Sequence, residues 1–335
     1  MKALVLEAPG RLVERDCKKP EPKENEVLVK TKAATICTSD INDIKHNPFA
    51  IALPMILGHE GAGIIEGLGR GVAGFAEGDE IAAHPVMACG ECASCRRNLS
   101  HLCDNMSHLG IDCGGTFAEY FTIRADRIRK KPANMSFAAA TLLEPVCVCL
   151  EAIKRANVSK GCNVLIVGDG PFGIMIANIC AQMFPGNKTI ISGTSDFKLG
   201  HATTAKKINI NSCKCAAGQI QNDTGGEGID SAFVCAGTPE ALDAAIEACR
   251  SRGTICMFSA IGEKVLVDMF KVHVKELNIC GSCNDEDYLD EAMEFISNGI
   301  LADVITHQLP FCEHGRAFEL ASDKKSDALK VSLIL

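Results

Sequence analysis

The distribution of apolar and polar positions divides the chain into two textures. Over residues 1–145 apolar positions come in short runs and alternations. Lys2–Glu7 and Val27–Ala33 read as strands, separated by the Pro/Lys/Glu-rich loop Pro20–Asn25. From Gly61 to Asp79 glycine recurs at 61, 63, 67, 69, 71, 74 and 78. That density suits several short twisted strands with tight turns, as in a small β-barrel, better than helix. Asp79–His84 reads as another short strand, and Gly114–Ile123 as a turn followed by a strand. Cys37-Thr38-Ser39-Asp40 comes after Val27–Ala33 and is followed by a loop that leads to Leu57.

From Glu144-Pro145 the texture changes. Val146–Asn157 has helical spacing, and Asn163–Val167 is a continuous apolar run of the buried parallel-strand kind. That run ends in Gly168-Asp169-Gly170-Pro171-Phe172-Gly173, followed by a predicted helix (Ile174–Met183) and a second strand (Lys188–Ser192). Strand, GxGxxG, helix and strand within about 30 residues form the dinucleotide-binding βαβ unit. The bare glycine backbone lets a pyrophosphate reach the helix N-terminus, where unpaired N–H groups and the dipole favour an anion. Alternation continues through Ser231–Cys235, Ala241–Arg250 and Thr254–Ser259. A helix (Asp287–Ser297) and a last strand (Leu329–Leu335) then remain to rejoin the first domain. The predicted fold is α/β in two domains: residues 1–146 with 283–335, β-rich, and residues 147–282, a doubly wound parallel sheet.

Chemistry enters with the cysteines. Cys89, Cys92 and Cys95 stand at intervals of three, and Cys103 follows eight residues on. Four thiolates so spaced can close round one zinc ion and leave no position for substrate, which makes the site structural. The segment Arg96–Leu102 lacks a core pattern, so the metal would hold a lobe that packing alone cannot. A second set is open. Cys37 beside small polar residues, His59-Glu60 on a Gly-flanked turn and Glu144 at the domain junction offer a thiolate, an imidazole and one or two carboxylates. Asp40 is the expected acceptor that holds the His59 ring.

Composition narrows the reading. The 335 residues are enough for two cores, with 47% hydrophobic and 23% charged residues. Aromatics make up 5% and the net charge is −8, which disfavours a nucleic-acid partner. No apolar run approaches the roughly 18 residues of a membrane span, and Met1–Leu6 is too short for a signal peptide's core. Many of the 19 cysteines (Cys147, Cys149, Cys180, Cys235, Cys256) fall in apparent core, as small hydrophobes of a reducing compartment. A cytoplasmic protein is expected.

These residues together resemble the zinc-containing medium-chain alcohol dehydrogenases over essentially the whole chain. The resemblance rests on Cys37…Gly58-His59-Glu60, the four-cysteine lobe, Gly114-Gly-Thr-Phe-Ala-Glu-Tyr120, Glu144-Pro145 and Gly168-x-Gly170-x-x-Gly173. Glu after His59 and Glu-Pro at 144 are similar to the sorbitol/threonine dehydrogenase branch; the ethanol-oxidising branch more typically has a ligand cysteine at 144. The resemblance implies a GroES-like catalytic domain, a Rossmann domain between its two parts, a homodimer or homotetramer, and two zinc ions per chain. It makes Cys37 and His59 ligands of the catalytic zinc, with Glu60 or Glu144 completing the shell, directly or through water. Ser39 is the implied proton-relaying hydroxyl, and Lys330 the basic residue near the cofactor pyrophosphate. Where sorbitol-type enzymes usually carry an aromatic residue soon after the catalytic cysteine, this chain has Asn42, Asp43 and Ile44. In place of Gly-Ser-Phe-Arg-Tyr it has Gly281-Ser-Cys-Asn-Asp285.

The cofactor expectation turns on one corner. An NAD-specific domain usually ends its second strand with an acid that bonds the adenosine ribose. Here that strand ends in Gly193-Thr194-Ser195 and the acid is displaced to Asp196. Small residues leave room for a 2′-phosphate, with Thr194, Ser195 and Lys198 as donors, so NADP is favoured over NAD. The expected activity is interconversion of a secondary alcohol (polyol, sugar alcohol, cyclitol or hydroxy-amino acid) and its ketone. Two other classes are weighed. A non-catalytic nucleotide-binding protein of this fold would carry a degraded ligand set, which Cys37, Ser39, Asp40, His59, Glu60 and Glu144 do not show. A thiol redox sensor would rest on Cys147/Cys149 or Cys213/Cys215, which lie in apparent core or loop.

Overall fold

The structure, a computed structural model, describes residues 1–203, 205–262 and 264–335. The chain forms two compact units, Met1–Cys147 with Glu286–Leu335, and Val148–Asp285.

The first unit opens with β1 (Lys2–Ala8) and continues through β2 (Glu26–Ile36), α1 (Thr38–His46), β3 (Glu60–Leu68), β4 (Glu80–Ala83), β5 (Tyr120–Arg124) and β6 (Ile128–Lys130). Helix α2 (Leu143–Arg155) carries the chain onwards. The second unit contains β7 (Asn163–Val167), α3 (Pro171–Met183), β8 (Lys188–Gly193), β9 (Lys206–Asn209), β10 (Ile229–Val234), β11 (Cys249–Met257) and β12 (Asn278–Gly281). Among the described residues its six strands are all parallel, in the order β9-β8-β7-β10-β11-β12. The chain then returns with β13 (Ile305–Pro310), α4 (His314–Ser322) and β14 (Lys330–Ile334).

In the first unit β2 is the organising strand. The sheet runs β6-β4-β3-β2-β14-β13, and β5 also pairs with β2. The two partners on that side divide the strand's length: β5 takes Glu26–Lys30 and β14 takes Ala33–Ile36. Between them Lys32 is an extra residue in the pairing with β3, where Thr31 faces Gly63 and Ala33 faces Ala62. Val27 and Val29 join the core with Ile65, Ile81, Phe121 and Ile123, whereas Ala34 and Ile36 join a second core with Leu4, Leu57, Phe117 and Val331. A single strand thus serves two cores.

Two stretches differ from the sequence reading. The glycine-rich segment after Gly61 forms one nine-residue strand, β3, rather than several short ones. Its glycines answer crowding as well as turning: a Cβ at Gly63 would stand 2.2 Å from the Lys30 carbonyl oxygen. The residues after Asp40, read as a loop, continue helix α1, which starts at Thr38. Their composition is poor in strong helix formers, but Asp40 accepts the Cys37 N–H at 2.8 Å, and Lys45 and His46 complement the dipole at the far end.

Phe117 is fully buried, edge-on to Phe318 at 5.6 Å between ring centroids. Phe117→Ala is expected to destabilise the protein by about 3–5 kcal/mol, since neighbouring strands cannot collapse into the cavity. Urea denaturation checks this, and a loss below about 1 kcal/mol would contradict the packing described.

Candidate active site

Three adjacent strands deliver the reactive side chains to one end of the sheet. Cys37 follows the last residue of β2, Glu60 opens β3 directly opposite Thr35, and Lys330 opens β14 beside them. The Cys37 sulfur, a ring nitrogen of His59 and a carboxylate oxygen of Glu60 all lie within 4.8 Å of one another. All three residues are buried, Glu60 completely. Asp40 fixes two of them at once. One of its oxygens meets His59 Nδ1 at 3.1 Å and the other accepts the Cys37 backbone N–H at 2.8 Å. With Nδ1–H on Asp40, Nε2 is the ring nitrogen left for a ligand.

Charge at this point follows the same design. Burial opposes a cationic His59, but Asp40 and Cys37 outweigh it and raise its pKa well above the usual imidazole value. Burial also works against the Lys330 ammonium, yet Glu60, Cys37 and Glu144 hold its pKa above the ordinary lysine range. The pocket attracts positive charge. Lys330 and Glu60 form an ion pair with side chains 1% and 0% exposed, through Glu60 Oε1. The other oxygen, Oε2, is buried and has no hydrogen-bond partner among the described residues. An uncompensated buried carboxylate oxygen is costly unless a cation meets it. Thiolate, imidazole and carboxylate, with that oxygen unsatisfied, form a donor set that fits zinc.

The remaining expected residues are placed as follows. Glu144, in the first turn of α2, is buried and close enough to act on the Lys330 charge, but it lies outside the Cys37–His59–Glu60 cluster. Ser39, second residue of α1, is half-buried. Lys330, expected beside a pyrophosphate, points instead into the ligand cluster, because the register of β14 against β2 sets its first residue next to Glu60.

Sequence reasoning missed two neighbours of His59. His108 lies with its ring 5.6 Å from the His59 ring. Its Nδ1–H donates to the Leu109 carbonyl at 2.8 Å, leaving Nε2 as an acceptor, and burial followed by the His59 charge lowers its pKa to about 3. Asp43, one turn after Asp40 on α1, is 3% exposed with Oδ1 unpaired. Burial, with help from Asp40, raises its pKa to about 6. The signal for Asp43 was present as a carboxylate where an aromatic residue was expected; His108 had none.

The cysteine lobe is a separate centre. Its four sulfurs lie within 4.8 Å of one another, with Cys89–Cys103 at 3.4 Å, Cys92–Cys103 at 3.8 Å and Cys89–Cys95 at 3.9 Å. A tetrahedron of sulfurs about 2.3 Å from zinc has edges of about 3.8 Å, so the set fits. Backbone N–H groups of Cys89, Cys95, Asp104 and Asn105 point at these sulfurs from 3.3–3.4 Å. Such donors favour thiolate.

In the second unit the glycine turn joins β7 to α3. Gly168 has φ of +125°, and a Cβ at Gly173 would stand 2.0 Å from the Gly168 carbonyl oxygen. Gly170 caps α3, Pro171 is its first residue, and the Phe172 ring packs tilted against Phe258 with centroids 4.9 Å apart. The corner after β8 differs from expectation. The backbone N–H groups of Thr194 and Ser195 donate to Asp169 Oδ2 at 2.6 and 2.7 Å, and Ser195 Oγ accepts the Lys198 N–H at 3.3 Å. Asp196 is held by Asn209 at 2.6 Å.

Known proteins match this arrangement. Residues 23–133 match the alcohol dehydrogenase GroES-like domain and residues 171–298 the zinc-binding dehydrogenase domain. The chain is 32% identical to L-threonine 3-dehydrogenase of Pyrococcus horikoshii, over 96% of its own length and 95% of the relative's. It is 29% identical to L-galactonate-5-dehydrogenase of Escherichia coli K12, over 95% and 94%. An alcohol dehydrogenase from Escherichia coli CFT073, solved with NADH, matches with a TM-score of 0.90 at 26% identity, over 100% of this chain and 99% of that one. With both domains matched in order around a donor set that fits zinc, the chain belongs to the zinc-containing medium-chain alcohol dehydrogenase family, in its sorbitol/threonine dehydrogenase-like branch.

Proposed function

We propose that this dehydrogenase interconverts a secondary alcohol carrying a neighbouring hydroxyl or ammonium group and its ketone, with NAD(P) as hydride carrier. The observation that carries the reading is the cluster of Cys37, His59 and a Glu60 carboxylate whose buried Oε2 is unsatisfied. Cys37, His59 and Glu60 would hold a catalytic zinc, and Cys89, Cys92, Cys95 and Cys103 a structural one. Bound zinc supplies a Lewis acid that lowers the pKa of an alcohol oxygen by several units, and nicotinamide accepts the hydride.

The protein's own part is positioning and charge. Asp40 keeps the His59 Nε2 lone pair aimed at the cluster and holds the Cys37 backbone. Lys330 offsets the Glu60 charge, so thiolate and carboxylate ligands together leave a net charge of about −1 rather than −2, and more of the cation's field reaches a substrate oxygen. Ser39, half-buried two residues beyond Cys37, accepts the alcohol proton and passes it to water. His108 Nε2 and Asp43 Oδ1 provide acceptors near His59. A simple aliphatic alcohol would leave both unpaired, which supports a polyol, cyclitol or hydroxy-amino acid. A non-catalytic role is disfavoured because so costly a buried ligand set has no use without the ion.

Surface and core features support an assembly and a location. Met269, Phe270 and Val274 are 63%, 75% and 59% exposed, close in sequence to the edge strand β12 and to Leu266 at 97%. An exposed edge and apolar patch suit self-pairing about a two-fold axis, which supports a homo-oligomer. No helix of the described residues is long and apolar enough to cross a membrane. Buried cysteine thiols serving as core residues support a cytoplasmic location.

Cys37→Ala is expected to abolish turnover while calorimetry shows dinucleotide affinity within about twofold of the parent, because the glycine turn belongs to the other unit. Ser39→Ala should slow turnover about 10–100-fold and displace the pH profile with zinc content unchanged. Near-normal turnover by Cys37→Ala would refute the mechanism. For the lobe, Cys95→Ser should reduce zinc from two ions per chain to one and lower the melting temperature. Elemental analysis finding a single zinc in the parent, at the other site, would remove the structural role. In a panel of polyols, cyclitols, threonine and simple secondary alcohols, the polar substrates should show kcat/KM at least about tenfold higher. Preference for the simple alcohols would overturn the substrate class.

A further inference from the structure

We propose that Asp169, in the middle of the glycine turn, reads the adenosine ribose and makes the protein selective for NAD over NADP. The inference rests on the dinucleotide-binding reading of this turn and deepens it.

Strands β7 and β8 run side by side, with Val167 opposite Ser192 and the Gly168 N–H donating to the Ser192 carbonyl at 2.8 Å. The residue after Gly168 therefore lies against the end of β8, where a ribose-reading acid usually stands. This chain has Gly193 there. The space beside Gly193 is already taken: a Cβ at that position would stand 2.3 Å from Asp169 Cβ and 2.4 Å from Asp169 Oδ2. The two positions are complementary. A carboxylate enters the corner from the turn, and the strand end must be glycine to admit it.

The hydrogen bonds give that carboxylate its orientation. Oδ2 accepts the Thr194 and Ser195 N–H groups at 2.6 and 2.7 Å, while Oδ1 has no hydrogen bond among the described residues. Oδ1 is thus the acceptor left for a ribose hydroxyl. A 2′-phosphate fares differently. The two N–H donors expected to bind it are occupied, and it would meet a fixed like charge. Asp196, held by Asn209, adds a second carboxylate to the same corner. The corner that the sequence alone left open for a phosphate is closed by Asp169.

The test is calorimetric titration of the holoenzyme with NAD+ and with NADP+, without substrate. The parent should bind NAD+ at least about tenfold more tightly. Asp169→Ala, which frees both N–H donors, should reduce that ratio at least about tenfold, and Asp169→Asn, close in size and without charge, should move it the same way. Gly193→Asp alone should lose binding or stability through collision with Asp169. Combined with Asp169→Gly it should restore NAD selectivity, because the carboxylate then enters from the strand end. Tighter NADP+ binding by the parent overturns the proposal, as does a ratio unchanged in both Asp169 variants when circular dichroism shows them folded. Failure of either dinucleotide to bind the parent overturns the underlying reading as well, and is distinct from an unchanged ratio.

Discussion

The ion pair between Lys330 and Glu60 joins residues 270 positions apart in the chain and is almost completely withheld from water. Removing one partner of such a pair costs about 3–5 kcal/mol, because the survivor is left charged and unpaired. Neither residue is there for stability alone, since an apolar pair of similar volume would serve the core as well. What the pair secures is position. Glu60 gives one oxygen to the ammonium and keeps its carboxylate within 4.8 Å of the Cys37 and His59 ligand atoms, and the C-terminal strand must return to the first unit to supply the lysine. The discontinuous first unit, Met1–Cys147 with Glu286–Leu335, is the topological consequence.

Around that pair, each polar group is held by a second one. Asp40 serves His59 with one oxygen and the Cys37 backbone with the other. The hydroxyls of Thr35, Thr141 and Ser332 interlock beside the same strands, with Thr35–Thr141 at 2.6 Å and Thr35–Ser332 at 3.1 Å. Strand β2 makes this possible, because it changes both its pairing partner and its core on either side of the bulge at Lys32. The strand can then pack one core with its first half and end in a ligand.

What could be read from the sequence was local. The glycine turn and the cysteine lobe are each contained within about fifteen residues, and a short spacing carries their chemistry. Helix α1 was missed because Thr-Ser-Asp-Ile-Asn-Asp has weak intrinsic helicity, and its cap is a bond from Asp40 to the Cys37 backbone. Strand β13 and helix α4 gave no clear periodic pattern beside the last strand. Lys330 was misplaced because its partner is set by strand register, not by neighbours in sequence. Asp169 was passed over as the variable residue of a glycine motif; only the space beside Gly193 shows what it does. His108 reaches His59 from the short strand Ser107–His108, 49 residues on, a through-space relation that no spacing encodes.

The central claim is that Cys37, His59 and Glu60 are ligands of one ion, with Lys330 and Asp40 holding them to that task. Anomalous diffraction at the zinc absorption edge, on crystals of the protein purified with its metal, tests it most directly. The account predicts two peaks per chain, one among the lobe sulfurs and one bonded to Cys37, His59 and Glu60. A single peak in the lobe, or a second zinc held away from Glu60 with Lys330 still paired to it, would contradict it.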